Sequence, residues 1–158
     1  MIFDFVVRRL HWMARVPGAP HLFEAFLLSW TAVFHRQRLA AMERIEREIL
    51  PWAGVRLGVH RLGGTGFLRA GREFAHLHGN GLLDVHLPGQ DAEGVVAAGL
   101  AQPHHLFGPS AWVSFWIQTE QCVPGALHLL RLAAESDETP LKPDPLPDKR
   151  SSARASTD

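Results

Sequence analysis

The texture of the chain changes once, at Gly54, and that change limits what it can fold into. Before it, apolar residues recur every three or four positions, the period of a helix face. Phe3, Val6, Leu10 and Met13 mark one helix over residues 2 to 15, which "VPGAP" breaks. Pro20 suits the first turn of a second helix running to about His35. A third carries Leu39, Met42, Ile45 and Ile49 inward and pairs Glu43 with Arg47 and Arg44 with Glu48 outward, until Pro51 ends it. After Gly54 the chain alternates between glycine-punctuated stretches, the mark of short antiparallel strands. Strands are expected at 55–61, 65–69, 72–78, 82–87 and 112–117. "QDAEGVVAAGLA" predicts a short helix with Asp91 as N-cap and Gly99 near its end, and a last helix opens at Thr119 or Glu120. The order predicts an α+β fold: N-terminal helices, then an antiparallel sheet with helices packed on one face.

Chemistry concentrates in "REFAHLHGNGLLDVHL", residues 72 to 87, which holds His76, His78 and His86 around Asp84. Asn80-Gly81 predicts a two-residue type I′ turn. In that geometry Phe74, His76 and His78 share a face with Leu83, Val85 and Leu87, while Glu73, Asp84 and His86 lie opposite. A bulge at Gly79 changes this parity.

Three readings fit. The H-x-H pair His76 and His78 sits about 7 Å apart on one strand face. It can chelate a divalent ion, zinc, iron or manganese, if "PHHLF" brings His104 or His105 as a further ligand. Alternatively a histidine beside a carboxylate, such as His86 with Asp84, acts as general acid or base, because imidazole titrates near neutrality. In the third reading the histidines are half-buried and bonded to the backbone.

The strand "AWVSFWI" alternates Trp112, Ser114 and Trp116 with Val113, Phe115 and Ile117. The second set is core. The first could floor a ligand pocket or lie under a helix. No G-x-S-x-G elbow surrounds Ser114, and the glycines of "RLGGTGF" and "RAGREF" lack the strand-to-helix setting of a phosphate loop.

The chain has 158 residues and zero formal net charge, with its 14 arginines scattered. Nucleic-acid binding lacks its electrostatic footprint, so no nucleic-acid partner is expected. The single cysteine, Cys122, excludes an internal disulfide and a Cys-rich zinc site. It reads as small core filler in a reducing, cytoplasmic protein. Asp4, Arg8 and Arg9 interrupt the N-terminal apolar run, so it does not read as a secretory signal. "HLFEAFLLSWTAVF", residues 21 to 34, is too short to span a bilayer. With Trp12, Trp30 and flanking arginines, residues 1–35 could meet a membrane surface or a second subunit instead of packing inward. From Ser136 the proline-rich tail has no apolar period and is expected to be disordered.

"GREFAHLHGNGLLDVHLP" followed by "AAGLAQPHHLFGPSAWVSFWI" resembles the luciferase-domain family of bacteria and fungi. The likeness spans about residues 43 to 135, leaving 1–42 as a helical segment and 136–158 as a tail. It is also distantly similar to the YjbR-like fold. Motif positions fall on Gly71, Arg72, Glu73, His76, His78, Gly79, Gly81, Asp84, His104, His105, Trp112 and Ser114. Ala111 replaces an expected glycine, and His86 stands where the family carries phenylalanine or proline. Weight therefore moves from His86 to His76, His78, Asp84, His104 and His105 as catalytic candidates. Arg72, Glu73, Trp112 and Ser114 are the ligand-binding candidates, and His76 and His78 the metal ligands. The resemblance implies a His-rich small-molecule pocket but guarantees no activity, and no flavin or nucleotide motif is present. The competing expectation is a non-catalytic module that docks through its N-terminal helices.

Overall fold

A computed structural model of the chain describes residues 18–104 and 108–136. The expected helix at 2–15, His105 and all but the first residue of the expected disordered tail lie outside the described residues.

Helix α1 (Ala19–Phe34) starts with Pro20 in its first turn, where a missing N–H costs nothing. At His35 the chain turns, and α2 (Arg36–Ile49) follows at once. Helix α2 buries Ala41, Met42, Ile45 and Ile49 along one stripe. On its exposed side Arg44 bonds Glu48 at 2.7 Å and reaches Glu120 at 3.1 Å.

Six strands follow in one antiparallel sheet: β1 (Val55–Val59), β2 (Thr65–Arg69), β3 (Arg72–Leu77), β4 (Leu82–His86), β5 (Gln102–His104) and β6 (Gly108–Trp116). The order across the sheet is β1-β2-β3-β4-β6-β5. Helix α3 (Gly89–Ala97) links β4 to β5, and α4 (Val123–Glu135) closes the described chain after a 3-10 turn at Glu120–Cys122. Pro88, not Asp91, caps α3; Asp91 lies inside its first turn, where its charge still complements the helix N-terminus. Strand β5 was not expected, because "QPH" is too short to show a period.

Phe67, Ala75, Leu77, Leu83, Val85, Val113 and Ile117 form the core face of the sheet. Against them pack Ile45 and Ile49 of α2, Val95 of α3, and Leu129 and Leu130 of α4. Full burial of each such aliphatic side chain contributes about 1.5–3 kcal/mol. Cys122 is partly buried against this cluster, as small filler. The fold is α+β, with the N-terminal helices before the sheet. None of the described helices is long and apolar enough to cross a membrane.

The β3–β4 hairpin departs from expectation. His78 N–H donates to Leu82 O and Gly81 N–H to His78 O, so the loop is Gly79-Asn80-Gly81. Only Gly81 has positive φ, at 85°, which makes this a turn followed by a left-handed bulge residue and not type I′. The Asn80 side chain competes for the backbone, accepting from Leu82 N–H at 3.1 Å. One extra loop residue shifts the register by one: His76 pairs with Asp84, and Ala75 with Val85.

Gly81 is bound to its conformation from two directions. A Cβ there would meet Ile117 O at 2.6 Å, on top of the left-handed penalty. Gly81→Ala is expected to destabilise the fold by about 2 kcal/mol or more. Urea unfolding measures this, and an unchanged midpoint contradicts the loop assignment.

Candidate functional site

The shifted register decides the site. Residues paired directly across strands point to one face, so Asp84 projects beside His76, not opposite it. Its other neighbour is Ser114, paired with it on β6. A second irregularity lies where β2 meets β3, between Phe67 and Leu68, and leaves Phe74 unpaired. Phe74 turns into the core, and Glu73 comes to the face of His76. The expected separation of His76 and His78 from Asp84 and Glu73 is thus overturned, by a three-residue loop and one bulge. Neither is visible as a period in the sequence.

Asp84 is wholly buried at the middle of this face. Its Oδ1 accepts from the Ser114 hydroxyl at 2.5 Å. Its Oδ2 faces three imidazoles: His76 Nε2 at 3.3 Å, His78 Nε2 at 3.5 Å and His104 Nε2 at 3.6 Å. None of these meets hydrogen-bond geometry, so Oδ2 is a buried oxygen held by charge alone. His76, His78, His104 and Ser114 are themselves buried.

Carboxylates hold two of the imidazoles from behind. Glu73 Oε1 accepts from His76 Nδ1 at 3.0 Å and from His60 Nδ1 at 2.7 Å. Glu24 Oε1 accepts from His78 Nδ1 at 2.5 Å, and Glu24 Oε2 accepts from Gly79 N–H at 2.8 Å. Each Nδ1–H is spent on a carboxylate, so each Nε2 is aimed at Asp84. Helix α1 comes close enough for this because residue 79 is glycine: a Cβ there would meet Leu28 N at 2.6 Å. His60 stacks on His76 with ring centroids 3.9 Å apart. The half-buried Trp112 ring lies 5.2 Å from His76, 5.1 Å from His86 and 6.4 Å from His104. Arg72 sits at the far end of β3, about 13 Å of strand from His76.

The sequence candidates His76, His78, Asp84, His104, Glu73, Trp112 and Ser114 therefore converge. Glu24 and His60 were missed. Glu24 is the lone acid in an otherwise apolar helix, a signal legible in "HLFEAFLLSW"; His60, at the end of a strand, gave none.

Burial alone would raise the Asp84 carboxyl, but the surrounding imidazoles, with Ser114, hold it far below the usual carboxylate range. For His78, burial disfavours the cation, and Asp84 and Glu24 outweigh it, pushing the pKa up to about 9. His76 is also raised, against its own burial, by Asp84 and Glu73. Glu73 resists burial through His60 and His76 and falls to about 2.

Chemically, His76, His78 and Asp84 offer three ligand atoms within 4.8 Å of one another. His60, Glu73 and His76 do the same on the outer side.

Residues 71–133 match the family model of the luciferase domain. The resemblance drawn from the motifs holds over this segment, which carries His76, His78, Asp84, His104, Trp112 and Ser114. No curated protein and no solved structure matches the chain significantly, and the likeness to the YjbR-like fold gains no support.

The shifted groups set a pH profile for metal-free protein. The proton on His78 is held more tightly folded, at about 9, than unfolded, at 6.5. Its contribution is complete below 6.5 and lost as pH climbs through 9. Glu73 falls from 4.5 to about 2, so its contribution is complete above 4.5 and lost as pH drops toward 2. Chelator-treated protein is expected to be most stable between pH 4.5 and 6.5. His78→Gln should flatten the alkaline limb in a Tm-against-pH series; an alkaline limb of the same slope contradicts the assignment.

Proposed function

We propose that the luciferase domain of this chain is built around one divalent transition-metal ion held by His76, His78 and Asp84, and that a small molecule is bound or transformed there. The carrying observation is that His76, His78 and Asp84 bring three ligand atoms within 4.8 Å of one another, with both Nε2 atoms 3.3 and 3.5 Å from a buried oxygen that has no hydrogen bond. Ligands about 2.0–2.2 Å from a tetrahedral ion are separated by about 3.3–3.6 Å. Imidazole with carboxylate suits zinc, iron or manganese.

The outer carboxylates support the same reading. Metal-bound histidines characteristically donate their other ring N–H to a carboxylate, which fixes the tautomer and strengthens the ligand. Glu73 and Glu24 stand in that relation to His76 and His78. Ligation needs neutral imidazoles, so binding must displace the protons these histidines otherwise hold, and affinity must rise with pH.

The chemistry of the centre depends on which metal it holds. Zinc would take His76, His78 and Asp84 as its protein ligands and would leave a position for water or a small molecule. Iron or manganese would be held by the same three side chains and would accept a small oxygen- or nitrogen-bearing ligand. Such an ion would supply Lewis-acid chemistry, while Glu73 holds His76 and Ser114 holds Asp84.

A metal-free alternative rests on the raised pKa of His78. There His78 is a proton donor held by Asp84 and Glu24, and the cluster is an acid–base site.

Purified, tag-free protein should carry about one divalent ion per chain by inductively coupled plasma mass spectrometry. Asp84→Ala or His76→Ala should abolish binding, and Glu73→Gln should weaken it about 10- to 100-fold. Protein that takes up neither zinc, ferrous iron nor manganese at neutral pH overturns the metal reading and leaves the acid–base one.

A further inference from the structure

Helix α1 is turned inside out. Its buried residues are the polar Glu24 and Thr31. Its exposed stripe is apolar: Leu22 is 75% exposed, Phe26 59%, Trp30 50%, Val33 66% and Phe34 60%. Successive members are three or four residues apart, apart from the adjacent Val33 and Phe34, so they line one side of the helix. Their rings touch along it, Phe26 to Trp30 at 6.3 Å between centroids and Trp30 to Phe34 at 4.3 Å. The only charged residue of α1 is Glu24, which is 7% exposed and engaged with His78 and Gly79. A surface helix with no exposed charge and a continuous aromatic stripe marks a contact face.

The charge of the sequence segment that contains α1 points to the partner. Residues 1–42 contain Arg8, Arg9, Arg15, Arg36 and Arg38 against Asp4 and Glu24, five positive and two negative, a net of +3. The whole chain is neutral, so the remainder is −3. Glu24 points away from the stripe, into the site, and Arg36 is exposed directly after α1. An apolar, Trp-bearing helix face followed by an exposed arginine, in a stretch of sequence with net charge +3, matches a bilayer interface with anionic headgroups. At 16 residues α1 is too short to cross such a bilayer.

We propose that α1 docks this protein on an anionic lipid surface through Leu22, Phe26, Trp30, Val33 and Phe34. Glu24, on the other side of the same helix, keeps its bonds to His78 and Gly79, so docking leaves the His–Asp cluster assembled. The proposal stands independently of any metal.

The test is co-sedimentation of the full chain with vesicles of phosphatidylcholine alone and of phosphatidylcholine mixed with phosphatidylglycerol. The expected result is binding to the anionic vesicles, weakened by salt, and lowered about tenfold or more by Phe26→Glu with Trp30→Glu. Leu22→Glu, at the most exposed position, serves should the aromatic variant fold poorly by circular dichroism. Absence of binding to anionic vesicles overturns the proposal, as does binding that none of these substitutions changes. So does a dimer in solution that the substitutions split without any lipid binding, which would make the face a contact between two copies.

Discussion

A carboxylate with no water around it is expensive, and Asp84 sits at the centre of the sheet with no exposure. Bringing such an ion out of water costs several kcal/mol unless its surroundings supply compensation. Three strands provide it. Strand β6 sends a hydroxyl, β3 and the residue just past its end two imidazoles, and β5 a third. The order β3-β4-β6-β5 places the Asp84 strand between its partners, so a strand order that moved β6 or β5 would leave the charge uncompensated. The geometry nevertheless leaves Oδ2 without a hydrogen bond.

The next shell extends the same logic outward. An imidazole that faces a carboxylate through Nε2 must dispose of its Nδ1–H, and a buried donor left unpaired costs about 1–3 kcal/mol. Glu73 serves His76 from its own strand, three residues away. His78 has no such neighbour, and its partner comes 54 residues earlier, from α1. The need to deliver Glu24 to His78 explains the orientation of that helix. Its polar residues must face the sheet, and its apolar ones are left facing out.

Much of this was legible in the residues. The helical period of α2 located Ile45 and Ile49 in the core, and the alternation in "WVSFWI" separated Val113 and Ile117 from Trp112 and Ser114. The histidine and aspartate candidates were legible as a set. Their mutual placement was not. Asn80-Gly81 supports two loops that differ by one residue, and the choice is made by Asn80 bonding Leu82 N–H and by Gly81 alone turning left-handed. The bulge at Phe74 likewise depends on Phe74 packing with Phe67, a contact between strands that no local pattern records. Glu24 was visible only as an interruption, because nothing local to α1 says which surface its carboxylate meets.

Core and site are fixed by the same choice of register. Slip β4 by one residue and Asp84 enters the layer of Ile45, Leu129 and Leu130, while Leu83 and Val85 turn toward the histidines. The slip therefore buries a charge among aliphatics and exposes the core's own side chains to an imidazole cluster. Both penalties act in the same direction, and each is several times the thermal energy. A functional cluster usually weakens the fold that carries it. Here the alternation Leu83-Asp84-Val85 makes the cluster a determinant of the register, so the sheet and the site specify one another.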